Sequence, residues 1–145
     1  MKKNQKGFTL IEVMVVVIIL GLLAGLVLPR ILGQEEKAKV EASKVQIRSL
    51  ESALSLFKLD NGFFPSTDQG LDALIRKPEA GRIPLKWRDG GYLQPARIPK
   101  DPWGKDYVYL CPGNEGREYE IVSYGADNEP GGEGNNADIQ SWKME

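Results

Sequence analysis

Glu12 is the one ionisable side chain between Phe8 and Leu28, an otherwise almost wholly apolar run of 21 residues. A carboxylate at membrane depth costs roughly 2.5–3.5 kcal/mol on insertion scales, so it ordinarily has a partner or a function. Nothing within the run can neutralise it. A cut after Gly7 would create a positively charged amine on Phe8, one helical turn from Glu12. That amine, on this chain or a neighbour, is the natural counter-ion. A second group lies near the other end, in the glycine-rich stretch GADNEPGGEGNNAD from Gly125 to Asp138. Asp127, Glu129, Glu133 and Asp138 fall there with Asn128, Asn135 and Asn136, and without a base. Calcium takes about six to eight oxygen ligands from carboxylates, amides and backbone carbonyls, and this stretch supplies all three. The spacing is not that of an EF-hand. A solvated, mobile loop fits the composition as well, although Ile139 and Trp142 just beyond it suggest a loop clamped at both ends.

Other chemistry is excluded by what is missing. Histidine is absent, which removes His-based acid–base catalysis and His-ligated zinc or haem. Cys111 is the single cysteine, so no intrachain disulfide or Cys-rich metal site can form. We read it as a small, buried apolar residue. With 19 basic and 20 acidic residues in 145, the net charge of −1 argues against nucleic acid as a partner. A membrane-anchored hydrolase would need a marked carboxylate pair, and Asp101, Asp106 and Asp127 have no such spacing. No catalytic residue is expected.

The apolar run must be positioned by a membrane. Helical from Phe8 to Leu28, it would reach roughly 31 Å, matching a hydrocarbon core of about 30 Å. Lys2, Lys3 and Lys6 precede it and would hold the N-terminus on the cytoplasmic side. A secretory signal peptide cut near Leu23-Ala24-Gly25 and a plain signal anchor share these features; Glu12 sets this run apart from both.

Pro29 predicts a kink or local melting where the run ends. Helical spacing then resumes, because Ile47, Leu50, Leu54 and Phe57 mark one face, and Asp60-Asn61-Gly62 supplies a stop. One kinked helix from Phe8 to about Leu59 would span roughly 75 Å. Its charged outer face, from Glu35 to Glu51, reads as solvated.

Residues 60–145 hold most of the nine prolines and sixteen glycines and read as a small α+β domain. Ser66 to Gln69 forms a capping box before a short helix expected from Asp68 to about Arg76. Two strands, Tyr107 to Leu110 and Tyr119 to Tyr124, flank a hairpin turn at Pro112 to Gly116. The short antiparallel sheet should lie against the N-terminal helix, since a lone hairpin needs such support.

Gly7-Phe8-Thr9-Leu10-Ile11-Glu12 with its apolar helix resembles the leader of type IV pilins and pseudopilins. The resemblance implies that a prepilin peptidase removes residues 1–7 by cutting after Gly7 and N-methylates Phe8. It implies residues 8–29 as transmembrane and filament-core helix, residues 30–59 as its amphipathic continuation, and Glu12 as the assembly glutamate. Further blocks recur in order: Asp60-Asn61-Gly62, Asp68-Gln69-Gly70-Leu71, Gly90-Gly91-Tyr92-Leu93, Asp101-Pro102-Trp103-Gly104, Gly125-Ala126-Asp127 and Ala137-Asp138-Ile139. Together they are similar to the major-pseudopilin family of the bacterial type II secretion system.

That resemblance implies a pilin-like α+β fold, a long N-terminal helix packed on a small antiparallel sheet with a C-terminal calcium loop at 124–138. Asp127 and Asp138 match the family's carboxylate ligands for Ca2+, and the carbonyls of Tyr124 and Glu129 its backbone ligands. The remaining ligands fall between Gly132 and Asn136. Two departures stand out: Gln140-Ser141-Trp142 replaces the usual Gly-Asn-Trp, and Asn128 replaces a common glycine. The implied function is a structural subunit that polymerises into a periplasmic pseudopilus and drives folded proteins through the outer membrane. Its implied partners are further copies of itself, minor pseudopilins, an inner-membrane assembly platform, the prepilin peptidase and, before assembly, the membrane. The implied location is the inner membrane, N-terminus cytoplasmic and globular domain periplasmic, then the pseudopilus. A type IV pilin of a surface fibre is the alternative, although many major pilins pin their C-terminal loop with a disulfide that one cysteine cannot form.

Overall fold

A computed structural model describes residues 7–144. The leader lysines Lys2, Lys3 and Lys6 lie outside them. The chain divides into two compact units, residues 1–36 and residues 37–145. A single helix, α1, runs over Leu10–Asn61 and contributes to both.

In the first unit α1 carries the apolar run. Its stretch Leu10–Val27 has a mean hydropathy of 2.9, and none of it is buried against the rest of the protein. By length and composition that stretch can cross a membrane. The helix is unbroken at Pro29, where the sequence predicts a kink or local melting. Continuity of the helix excludes the melting expected there, and a proline that removes a single donor need not end a helix carried by the turns on either side. The helix ends at Asn61, inside the expected Asp60-Asn61-Gly62 stop, and the Asn61 side-chain amide donates back to the Phe57 carbonyl at 3.1 Å.

The second unit holds the core. Ile47, Leu50, Leu54 and Phe57 are all fully buried, as their helical spacing predicts. They meet Leu71, Leu74, Tyr92, Tyr109, Ile121 and Ile139 in one cluster. Cys111 is half-buried against the edge of that cluster, less enclosed than expected.

Three strands form an antiparallel sheet in the order β1 (Val108–Leu110), β2 (Glu120–Ser123), β3 (Ile139–Gln140). Val108 pairs with Val122 and Tyr109 with Ile121; Val122 pairs in turn with Gln140, and Ser123 with Ile139. Alternation turns Tyr109, Ile121 and Ile139 inward onto the core. Three tyrosines reach α1 or its vicinity: the Tyr107 hydroxyl donates to Gln46 Oε1 at 2.5 Å, Tyr119 to Glu51 Oε1 at 3.5 Å, and Tyr109 to the Pro65 carbonyl at 2.8 Å. Burial pushes the Tyr107 and Tyr119 hydroxyls up to about 12, so both stay protonated as donors.

The capping box forms as expected. Ser66 N–H donates to Gln69 Oε1 at 3.1 Å, and Gln69 N–H donates to Ser66 Oγ at 3.3 Å. The helix after it does not. Only a 3-10 turn, Leu71–Leu74, follows. Gly70 has φ 62°, a left-handed conformation that interrupts a right-handed α-helix before its first turn closes.

Candidate functional site

Two places are built for function, one in each unit. In the first, α1 begins with a reciprocal pair. Thr9 N–H donates to Glu12 Oε2 at 3.3 Å, and Glu12 N–H donates to Thr9 Oγ1 at 3.3 Å. This is a capping box, which satisfies two donors that the first turn of a helix leaves open. Glu12 is therefore fixed at the helix start, and Phe8, just before Thr9, is 84% exposed. Gly7 has open space around its Cα. The Thr-x-x-Glu spacing was visible in the sequence, and Thr9 is the residue that the sequence reading passed over.

In the second unit, the loop between β2 and β3 is closed on itself by its own backbone. Ala126 N–H donates to the Asn135 carbonyl at 3.2 Å, and Asp138 N–H to the Gly131 carbonyl at 3.2 Å. The returning limb of the loop is so close that a Cβ on Gly132, which has φ 79°, would lie 2.4 Å from the Asn136 carbonyl oxygen. A Cβ on Gly125 would meet the Ala137 and Asn135 carbonyl oxygens at 3.0 and 3.1 Å. Three successive carbonyls thus crowd a space that only glycines leave open.

The expected site residues fall around this loop in different ways. Asp127 Oδ1 accepts the Glu129 N–H at 3.1 Å, a local turn that places the Glu129 backbone beside the Asp127 carboxylate. Asp138 Oδ2 accepts the Gly131 N–H at 3.0 Å, while its Oδ1 is sealed from solvent and accepts nothing. Tyr124 and Asp138 line one groove of about 540 Å3 on the outer face of the sheet. Among the described residues, no three His, Cys, Asp or Glu side chains gather at one point. Any cation held here would therefore rely on carbonyl and amide oxygens as much as on carboxylates.

Two buried carboxylates hold turns beside the sheet, Asp101 next to this loop and Glu120 in the β1–β2 hairpin, and neither was singled out as a support by the sequence. Asp101 Oδ1 accepts the backbone N–H groups of Trp103 and Lys105 at 3.1 and 2.7 Å. Its Oδ2 accepts the Ser123 hydroxyl at 2.7 Å, and Ser123 Oγ in turn accepts the Gly125 N–H at 3.4 Å. The Asp-Pro-Trp-Gly turn is thereby tied to the first residue of the loop. Asp106, by contrast, pairs with Lys100 at 2.8 Å on the surface.

Glu120 is the second carboxylate, 3% exposed. Arg117 reaches its Oε1 at 2.9 Å, and Asn114 donates from backbone and side chain at 2.7 and 2.9 Å. Burial alone would raise the Glu120 carboxyl, but Arg117 and both Asn114 donors outweigh it and hold it below its ordinary 4.5. A lowered folded value means that its stabilisation is complete above the unfolded value and disappears as pH falls through the folded one. Melting temperatures measured down from about pH 6 should therefore fall more steeply for the native chain than for Glu120→Gln.

The profile described as Type II secretion system (T2SS), protein G matches residues 30–142. The chain belongs to the type II secretion system protein G family. A second profile, the prokaryotic N-terminal methylation motif, matches residues 2–28 and so brackets Gly7, Phe8 and Glu12. The type II secretion system core protein G of Vibrio cholerae is 51% identical over 143 residues, 99% of this chain and 95% of that protein. Its counterpart in Pseudomonas aeruginosa is 48% identical over 141 residues, 97% of each chain. Among solved structures, the major pseudopilin from the type 2 secretion system of enterohaemorrhagic Escherichia coli is 38% identical with a TM-score of 0.67. That match covers 78% of this chain and 94% of the pseudopilin. A protein G chain thus carries both the long helix and the small antiparallel sheet expected of a pseudopilin, with β3 as a strand beyond the two expected.

Proposed function

We propose that this chain is the major subunit of a type II secretion pseudopilus, a filament that grows across the periplasm and moves folded proteins through the outer membrane. The observation that carries the reading is identity near one half along the whole length of proteins named core protein G. The methylation motif and the exposed apolar half of α1 support the same assembly. A prepilin peptidase cuts after Gly7 and methylates Phe8; the freed subunit sits in the inner membrane with residues 37–145 on the periplasmic side. It then leaves the bilayer to join further copies, minor pseudopilins and the inner-membrane platform. In docking, the Glu12 carboxylate neutralises the Phe8 amine of a neighbour, which removes two charges from an apolar filament core. The relatives are secretion proteins, so the surface-fibre alternative has nothing comparable behind it. Expression in a strain lacking its own protein G tests this reading: secretion and periplasmic filaments should return, and a chain that is processed but restores neither would overturn it.

The C-terminal loop is proposed to bind one calcium ion. Its support is the unpartnered Asp138 Oδ1 and the crowd of carbonyls across from Gly125 and Gly132. Asp127 and Asp138 would supply carboxylate oxygens, and Tyr124 and Glu129 carbonyls. The bound ion would supply charge that fixes the loop against the sheet, a role for which the chain has no disulfide. The full chain in detergent should melt higher in calcium than in chelator, and Asp127→Ala should remove that difference. An unchanged difference in the variant would remove Asp127 from the site.

A further inference from the structure

Two side-chain oxygens in the described part of the protein are sealed from solvent and accept no hydrogen bond: Asp138 Oδ1 and Gln140 Oε1. Each belongs to a residue on the outer face of β3 or its entry. Ile139 between them turns inward and is 6% exposed, so residues 138 and 140 share the opposite face. Both line the same groove, as does Tyr124. Gln140 stands across from Val122, an aliphatic partner with nothing to donate. Leaving a buried acceptor unmet costs about 1–3 kcal/mol, and here two neighbouring acceptors go unmet together. Two unmet acceptors on one face of β3 are groups that a bound cation would satisfy.

The calcium reading above leaves a shortfall that fits this. Calcium takes about six to eight oxygens; Asp127, Asp138 and the Tyr124 and Glu129 carbonyls supply four groups, and the ligands expected between Gly132 and Asn136 still leave a position for one more. No third carboxylate is gathered nearby among the described residues. A neutral amide oxygen is an ordinary calcium ligand, and Gln140 offers one that is already desolvated.

We propose that Gln140 Oε1 is a ligand of the cation held by the C-terminal loop, joining β3 itself to the site beside Asp138. The inference rests on the calcium reading. It ties the ion to the sheet as well as to the loop, so that cation binding orders the β2–β3 pairing and not the loop alone.

Calorimetric titration of the full chain in detergent with calcium chloride tests it. Gln140→Leu should weaken the dissociation constant by at least about tenfold, since even supporting residues around a metal cost about 10–100-fold when lost. Gln140→Glu should tighten it, because added ligand charge raises affinity. Melting in chelator should not fall for Gln140→Leu, since leucine leaves no buried acceptor unmet, and this separates loss of ligation from loss of folding. Asp138→Asn sets the reference. If native protein binds, Asp138→Asn does not, and both Gln140 variants match the native chain, the Gln140 assignment is overturned while the calcium reading stands. If the native chain itself shows no calcium binding, both are overturned.

Discussion

Glu12→Ala is expected to abolish pseudopilus assembly while leaving the globular unit folded. Two separate losses combine in it. The Glu12 arm of the capping box disappears, so the Thr9 N–H loses its acceptor while the backbone N–H of residue 12 still reaches Thr9 Oγ1. More costly, the amine of a neighbouring Phe8 would be left charged and unpaired in an apolar core, a penalty of about 3–5 kcal/mol. The two can be told apart. Glu12→Gln keeps the acceptor for the Thr9 N–H and discards the charge, whereas Thr9→Val keeps the charge and discards the hydroxyl. If neutralisation governs docking, Glu12→Gln fails to assemble nearly as completely as Glu12→Ala, and Thr9→Val assembles. Cross-linked filaments recovered from the periplasm and quantified by immunoblot give the comparison. Normal filament yield from Glu12→Gln would leave Glu12 with a capping role only.

Asp101→Ala should be the most damaging single change in the globular unit outside the aliphatic core. The carboxylate accepts from Trp103 N–H, Lys105 N–H and the buried Ser123 hydroxyl. Alanine removes the acceptor from all three, and the fully buried Ser123 hydroxyl alone costs about 1–3 kcal/mol when left without a partner. A total of at least about 1–3 kcal/mol follows, a large fraction of the stability of a small domain. Asp101→Asn should lose much less. Its carbonyl can still accept from both backbone donors, and the Ser123 hydroxyl can turn to accept from the new amide. Urea unfolding followed by circular dichroism distinguishes the two, and an alanine variant within about 0.5 kcal/mol of the native chain would contradict the network. Because Ser123 Oγ also accepts from Gly125, Asp101→Ala should loosen the loop's first residue as well as the Asp-Pro-Trp-Gly turn.

The sequence is most legible where one period is sustained. Ile47, Leu50, Leu54 and Phe57 repeat often enough to name a buried face, and all four are buried. The hairpin is legible because Pro112 to Gly116 punctuates two runs of β-branched and aromatic residues. β3 is not, since two residues carry no period, and Ile139 is readable only as an anchor beyond a loop. The Ser66–Gln69 box predicts a helix that Gly70 then prevents, a conflict between a start signal and an adjacent breaker. Asp101 and Glu120 are silent in sequence for another reason. Their partners lie on other turns of the chain, and no local spacing announces a carboxylate that serves donors brought together by folding. Gln140 is silent likewise, because its interest comes from what fails to reach it.

The central claim is that this chain is a processed filament subunit, and the intact mass of the membrane-bound protein tests it most directly. The chain should be expressed with and without a prepilin peptidase and weighed by mass spectrometry. The account predicts a product beginning at N-methylated Phe8 only when the peptidase is present. A chain cut near Ala24-Gly25, or one left whole beside an active peptidase, would contradict it.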